Sequence, residues 1–335
     1  MEHSLLPAVW FAILGFILVL YTMLDGFDLG VGVVSLFIRD EDSRGILMGS
    51  LGSIWDANET WLVLFGGIIF GAFPTVYGLV MSALYLPLVL MLLGLIFRAV
   101  SFEFRALATR KRPWSLAFGW GSLAASASQG LAFGGLIWGL DIRGGRYLGG
   151  VMDWLSPFSC LTATAVLGGY VMLGSTYLIM KTGGTIAAFA RRSAIAGAAV
   201  AAACAVAVTM LAVSKYPSLK NKWLVFPGFL LTVVPFVLGV AAFIAMLRAI
   251  LKGRERRPFF LALAFAFFGY LALSVNYFPI IVPPSLTVYD AAAQPLTLRA
   301  MLIAVGIALP ILLAYNFLQY WVFRGKTTKS GYEEE

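Results

Sequence analysis

The chain has 335 residues, of which 61% are hydrophobic and 12% charged, and its formal net charge is +8. A water-soluble domain carries about a quarter charged residues, so this composition excludes one and makes lipid the solvent. The basic excess sits in short clusters between apolar runs (Arg110 to Arg112, Arg191 with Arg192, Arg254 to Arg257), a pattern that reports membrane topology and not nucleic-acid binding.

Nine apolar runs predict nine membrane-spanning helices within one integral-membrane domain, residues 1–335. They lie near 7–38, 54–74, 78–105, 114–140, 155–180, 191–214, 223–251, 258–283 and 299–323. The runs are too long and too continuously apolar for barrel strands, and inside lipid a helix satisfies its own backbone. Met1 to Leu6 include no Lys or Arg, so the first run reads as a retained helix and not a cleaved signal. The short uncharged link Pro74 to Gly78 predicts a tight hairpin between the second and third spans.

Connections alternate in charge. Arg105 to Arg112, Lys181 to Arg192, Arg248 to Arg257 and the tail with Arg324, Lys326 and Lys329 are basic, whereas Gly139 to Leu155 and Pro284 to Thr297 are near neutral. The positive-inside rule then puts the amino terminus outside and the carboxyl terminus in the cytoplasm. Lys215, Lys220 and Lys222 are an exception on the outer side. Trp55, Trp114, Trp154, Trp223 and Trp321 fall at span ends, as interfacial anchors do. Cys160 and Cys204 lie in apolar runs without CxxC spacing and read as buried inert thiols.

With lipid as the reference state, ionisable residues inside apolar spans are the informative ones, each costing about 2.5–3.5 kcal/mol at mid-membrane. Asp25 and Asp28 in span one share a helical face, Asp28 roughly 16 Å of helix from Arg39, and Gly26 and Gly30 form a GxxxG for close helix approach. They read either as a proton or ion path or as partners that lock a bundle through an arginine. Asp56 and Glu59 open span two: Ser53 with Asp56 resembles a capping box, and both carboxylates equally suit proton collection at the cytoplasmic rim. In span three, Glu103 and Arg105 can snorkel, but Arg98 lies about 10 Å deeper and needs a partner such as Asp25, Asp28 or an anionic cofactor group; Arg98 and Glu103 are the span's candidate buried charge partners.

Gln129, Asn276, Tyr277, Asn316 and Gln319 read as interhelical hydrogen-bond formers, and the small-residue stretch Gly121 to Gly135 as a close packing face. The single histidine is His3. Respiratory haems lean on buried histidines, so this chain alone is not a holder of several haems, and no catalytic, metal or haem-ligand residue is assigned in it.

The segments Asp25-Gly26-Phe27-Asp28-Leu29-Gly30-Val31-Gly32, Trp55 to Gly67 (WDANETWLVLFGG), Phe70 to Tyr77 (FGAFPTVY) and Ala83 to Arg105 resemble, in order and spacing, the signature regions of cytochrome bd-type quinol oxidase subunit II. The wording at Asn58 to Trp61 and Ser101 to Phe104 is closer to the cyanide-insensitive branch. This resemblance implies an all-α protein of two four-helix bundles plus one peripheral helix in a bacterial cytoplasmic membrane. It also implies a larger subunit I holding b-type haems and a d-type haem, or b in its place, with quinol as substrate and small single-helix subunits as further partners. Subunit II then supports subunit I and contributes acidic groups to proton delivery. On the matching motifs, Asp56 is the first choice for proton uptake, Asp25 and Asp28 are the paired aspartates, and Arg98 is the helix-three arginine. A secondary transporter with a mid-membrane Asp/Arg site is the rival reading, although no internal repeat supports it.

Overall fold

A computed structural model describes residues 5–52, 54–223, 226, 228–328 and 331–332; His3, Ser53, Lys329 and the side chain of Lys220 lie outside the described residues. In chain order the elements are α1 (Leu6–Ser35), α2 (Glu41–Leu51), α3 (Trp55–Ala72), α4 (Pro74–Ala83), α5 (Tyr85–Leu107) and α6 (Arg112–Trp138). After the strands β1 (Ile142–Arg143) and β2 (Arg146–Tyr147) follow α7 (Pro157–Lys181), α8 (Gly184–Lys215), α9 (Pro217–Lys222), α10 (Gly228–Leu251) and α11 (Arg257–Tyr277). The chain closes with β3 (Ile280–Val282), β4 (Leu286–Thr287), α12 (Val288–Ala291), α13 (Pro295–Val322), β5 (Thr327–Thr328) and β6 (Gly331–Tyr332). The strands form three small antiparallel hairpins, so the architecture is all-α.

Among the described residues, seven helices are long and apolar enough to cross a membrane: α1, α5, α7, α8, α10, α11 and α13. The pair α3 and α4 passes only together, bent by 119°, which brings the number to eight at most against the nine expected. The difference is α6, 27 residues long but diluted in hydropathy by its glycines and serines. The expected hairpin at Pro74 to Gly78 is also relocated. The chain kinks at Phe73, which carries φ −133° and ψ 63°, then runs ten residues as α4 before α5 begins at Tyr85. Pro74 has no N–H to donate, which suits the first turn of a new helix and breaks the old one.

Helix α1 runs through the middle, against α3, α6 and α7, and its residues 25–35 are all buried. Lipid is as apolar as the interior, so helices in it associate by close packing and hydrogen bonds and not by hydrophobic burial. The GxxxG pattern does this work at the α1–α7 crossing. A Cβ on Gly30 would lie 1.7 Å from the Tyr170 carbonyl oxygen, and one on Gly174 would lie 2.4 Å from the Val31 nitrogen. The small-residue face of α6 behaves as expected: a Cβ on Gly130 would meet the Ala163 Cα at 2.4 Å.

At one end, α2 starts on Asp40, whose Oδ2 accepts from the Ser43 N–H at 2.8 Å, and tucks Leu47, Met48 and Leu51 inward. The tail packs over it, so that a Cβ on Gly49 would meet Thr327 Cγ2 at 3.7 Å, while Lys181 donates to the carbonyls of Phe323 and Gly325. At the opposite end, buried Trp10 of α1 donates to the Leu298 carbonyl of α13 at 3.2 Å. Neither cysteine matches its expected burial: Cys160 is exposed on α7 and Cys204 is half-buried. An apolar run faces lipid as readily as it faces the interior, so hydropathy alone did not assign them a side.

Candidate functional site

Four of the expected polar residues converge at the α1–α3–α5 junction. Gly94 brings α5 close against α6, since a Cβ there would sit 2.7 Å from the Gly121 carbonyl, and one turn later Arg98 emerges fully buried. The Arg98 fork is split between two helices: Nη1 donates to Asp25 Oδ1 at 2.5 Å and Nη2 to Glu59 Oε2 at 3.2 Å. Asp25 is sealed, whereas the Glu59 side chain keeps 25% exposure.

Asp28 is not paired with an arginine. It is 1% exposed and accepts from Asn58 Nδ2 at 2.9 Å, while Asn58 Oδ1 accepts from the Tyr320 hydroxyl of α13 at 2.7 Å. A second branch leaves from Tyr21, one turn before Asp25: Gln129 Nε2 donates to the Tyr21 oxygen at 2.5 Å, and the Tyr170 hydroxyl donates to Gln129 Oε1 at 2.7 Å. Asp25 Oδ2, Asp28 Oδ1 and Arg98 Nε are buried with no hydrogen-bond partner among the described residues. Buried polar atoms are normally satisfied, so these three together set the cluster apart from the rest of the interior.

The other expected residues stand apart. Asp56 is exposed in the first turn of α3, and that helix starts on Ile54 without a side-chain cap; the capping serine, Ser53, lies outside the described residues. Glu103 was expected among the buried charges, but it is exposed. Five residues past Arg98 is about 140° around the helix, which turns Glu103 to the opposite face. Arg105 is anchored instead by the Ser115 hydroxyl at 2.8 Å and the Glu41 carbonyl at 3.0 Å. Trp55 stacks on Phe102 at 5.4 Å, which fixes the start of α3 against α5.

Asn58, Tyr21, Tyr170 and Tyr320 were not singled out in sequence. Asn58 lies beside Glu59 in the motif, and Tyr21 sits four residues before Asp25, so helical spacing was a usable signal for those two. Nothing local marks Tyr170 or Tyr320.

No group of three or more His, Cys, Asp or Glu suited to a metal gathers among the described residues. Met48, Met91, Met172 and Met246 are buried within the apolar core, packed by hydrocarbon. These donors do not fit a haem, so no step below runs through a haem held by this chain.

A bundle of apolar helices with a sealed Asp25–Arg98 pair, joined to the partly exposed Glu59, defines an integral-membrane protein that carries ionisable groups through lipid. Its residues 6–323 match the family model for cytochrome bd terminal oxidase subunit II, and the chain belongs to that family. It is similar to cytochrome bd-I ubiquinol oxidase subunit 2 of Escherichia coli (strain K12), 29% identical over 376 aligned positions that cover 99% of this chain and 98% of that one. It is also similar to cytochrome bd ubiquinol oxidase subunit 2 of Bacillus subtilis (strain 168), 29% identical over 337 positions and 96% of each chain. Its fold is that of a chain in the bd oxidase structure from Geobacillus thermodenitrificans, with a TM-score of 0.79, 20% identity and coverage of 96% of this chain and 99% of that one. The chain is therefore a subunit of a membrane-bound terminal oxidase, a haem-containing oxidoreductase complex that includes a subunit I. That membership displaces the transporter reading.

Proposed function

We propose that this subunit supports a larger haem-bearing subunit I and conducts protons from the cytoplasm toward it along the carboxyls Asp56, Glu59, Asp25 and Asp28, with Arg98 as the fixed positive charge beside them. Reduction of oxygen to water consumes protons, and a catalytic centre enclosed in lipid needs a polar route to receive them. The observation that carries the reading is the continuous contact from a partly exposed carboxyl, Glu59, through Arg98 to a fully buried one, Asp25. One guanidinium holds two carboxyls, Asp25 and Glu59, so the cluster is a place where protons are held and exchanged near a fixed positive charge. Asp56, one turn before Glu59 and exposed, collects protons at the surface.

The rest of the proposal follows from the resemblance. Subunit I carries b-type haems and a d-type haem, or b in its place, and oxidises quinol; small single-helix subunits complete the complex. The cell membrane is a bacterial cytoplasmic one, with the amino terminus outside and the carboxyl terminus inside, as the basic loops favour. Residues 1–335 form one domain in which α6 is counted as the ninth span, giving two four-helix bundles and a peripheral helix. The wording at Asn58 to Trp61 supports the cyanide-insensitive branch.

Glu59→Gln in the purified complex tests the route. Haem absorbance stays unchanged while oxygen uptake falls by about tenfold or more, the scale expected when a positioned proton carrier is removed. A second reading, a scaffold in which the charges only join helices, is favoured by the complete burial of the Arg98–Asp25 pair. Under it, the same variant lowers the yield of assembled complex and leaves the rate per complex unaltered.

A further inference from the structure

We propose that a cleft between α1, α10 and α11 binds one phospholipid with a net-negative headgroup, its phosphate on Lys222 and one acyl chain lying along α1. The cleft has a volume of about 610 Å³, within the range of built small-molecule sites. Phe11 and Phe16 from α1, Leu231 from α10 and Phe267 and Leu271 from α11 give it apolar walls suited to hydrocarbon. Gly15 leaves its floor open, since a Cβ there would meet nothing within 4 Å.

Four polar side chains interrupt the hydrocarbon lining, Lys222, Thr232, Tyr270 and Ser274, and the first two follow the order a phospholipid requires. Lys222, at the end of α9, lines the cleft and donates to the carbonyls of Asn276 and Phe278. An ammonium has three protons, so one donor and the whole positive charge remain for a ligand. Further along, Thr232 is 6% exposed, and its hydroxyl has no hydrogen-bond partner among the described residues. It stands one turn into α10 from Gly228, about 6 Å of helix, the direction in which ester carbonyls follow a phosphate into a bilayer. No carboxylate lines the cleft among the described residues, so the cation has no internal counter-charge there.

The site also accounts for a charge pattern left over from topology. Lys215, Lys220 and Lys222 break the positive-inside rule on the outer side. Lys215 is occupied by the Trp138 carbonyl at 2.5 Å and by the Trp138 ring at 3.8 Å. Lys222 has instead been placed at the mouth of an apolar cleft, where phosphate is the complementary group. A neutral quinone would fill the hydrocarbon space but leave the ammonium unmatched. The inference stands independently of the proton route.

The experiment uses the purified complex with subunit I, stripped of lipid by detergent washing and then offered phosphatidylglycerol or phosphatidylcholine of equal chain length. Bound lipid is read by native mass spectrometry. Phosphatidylglycerol is retained in preference to phosphatidylcholine. Lys222→Gln weakens that retention by about tenfold through loss of a charge-assisted hydrogen bond. Gly15→Leu fills the cleft and removes retention while oxygen uptake holds, which separates ligand loss from misfolding of the α9 region. The proposal is overturned if the two lipids are retained equally, if both variants keep phosphatidylglycerol as the parent does, or if ubiquinone offered in competition displaces it from the cleft.

Discussion

Arg98 and Asp25 meet at 2.5 Å across 73 residues of sequence, and neither side chain has any exposure. Removing one partner of such a pair leaves a charge sealed in a low-dielectric interior, which costs about 3–5 kcal/mol. Arg98→Met therefore lowers the thermal stability of the complex by several degrees or prevents assembly. Arg98→Met combined with Asp25→Leu recovers part of the loss, because the fully sealed Asp25 carboxyl is then not abandoned and only the partly exposed Glu59 loses its partner. A double-mutant cycle on melting temperature checks this; strictly additive effects would refute the coupling.

Glu59 touches Arg98 and Asp56 does not, so the two carboxyls differ in what their neutral variants do. Asp56→Asn slows oxygen uptake less than Glu59→Gln, with haem spectra intact in both. Stopped-flow oxygen consumption at saturating quinol makes the comparison. Full turnover in Asp56→Asn removes that residue from the route while leaving Glu59 in it.

The α1–α7 crossing yields to no side chain. Gly30→Ala drives a methyl into the Tyr170 carbonyl, backbone against backbone, and overpacking of this kind costs about 1–3 kcal/mol or more. Gly169→Ala on α7 meets nothing within 4 Å and serves as the control. The yield of folded complex in detergent falls for the first and holds for the second.

Glu41 gives the protein an acid-sensitive joint outside the spans. Partial burial pushes its carboxyl up, but the hydrogen bond from Ser115 and the guanidiniums of Arg44 and Arg105 outweigh this and hold it below the ordinary glutamate range. A depressed carboxylate contributes stability that is present above its unfolded value and is lost as pH falls through the folded one. Melting temperature thus declines as pH drops below about 4.3, the ordinary glutamate value, and Glu41→Gln flattens that part of the profile. An unchanged slope in the variant would assign the acid sensitivity elsewhere.

Long elements were legible because hydropathy over some twenty residues is a strong signal, and the basic loops stood out against it. The short helices α2, α4, α9 and α12 were not, since each is too brief or too mixed in polarity to differ from a connection. In the site, Asp25, Asp28 and Arg98 announced themselves as expensive residues in lipid, and their mutual proximity was readable as a need for counter-charge. Which acid would take which arm of Arg98 was not readable, because the choice depends on how α3 is rotated. Glu103 was misplaced for a related reason: closeness along a helix is not closeness in space unless the phase agrees. Tyr170 and Tyr320 were invisible, as single tyrosines in apolar runs resemble interfacial anchors.

Trp10, Asn58 and Trp61 lie on α1 and α3, yet each is hydrogen-bonded to α13, at Leu298, Tyr320 and Asn316 respectively. Those bonds cannot form until α13 has been made. Closure of the bundle therefore waits for α13, and a chain halted before it would be presented to the quality-control machinery with polar side chains of α1 and α3 still open to the bilayer.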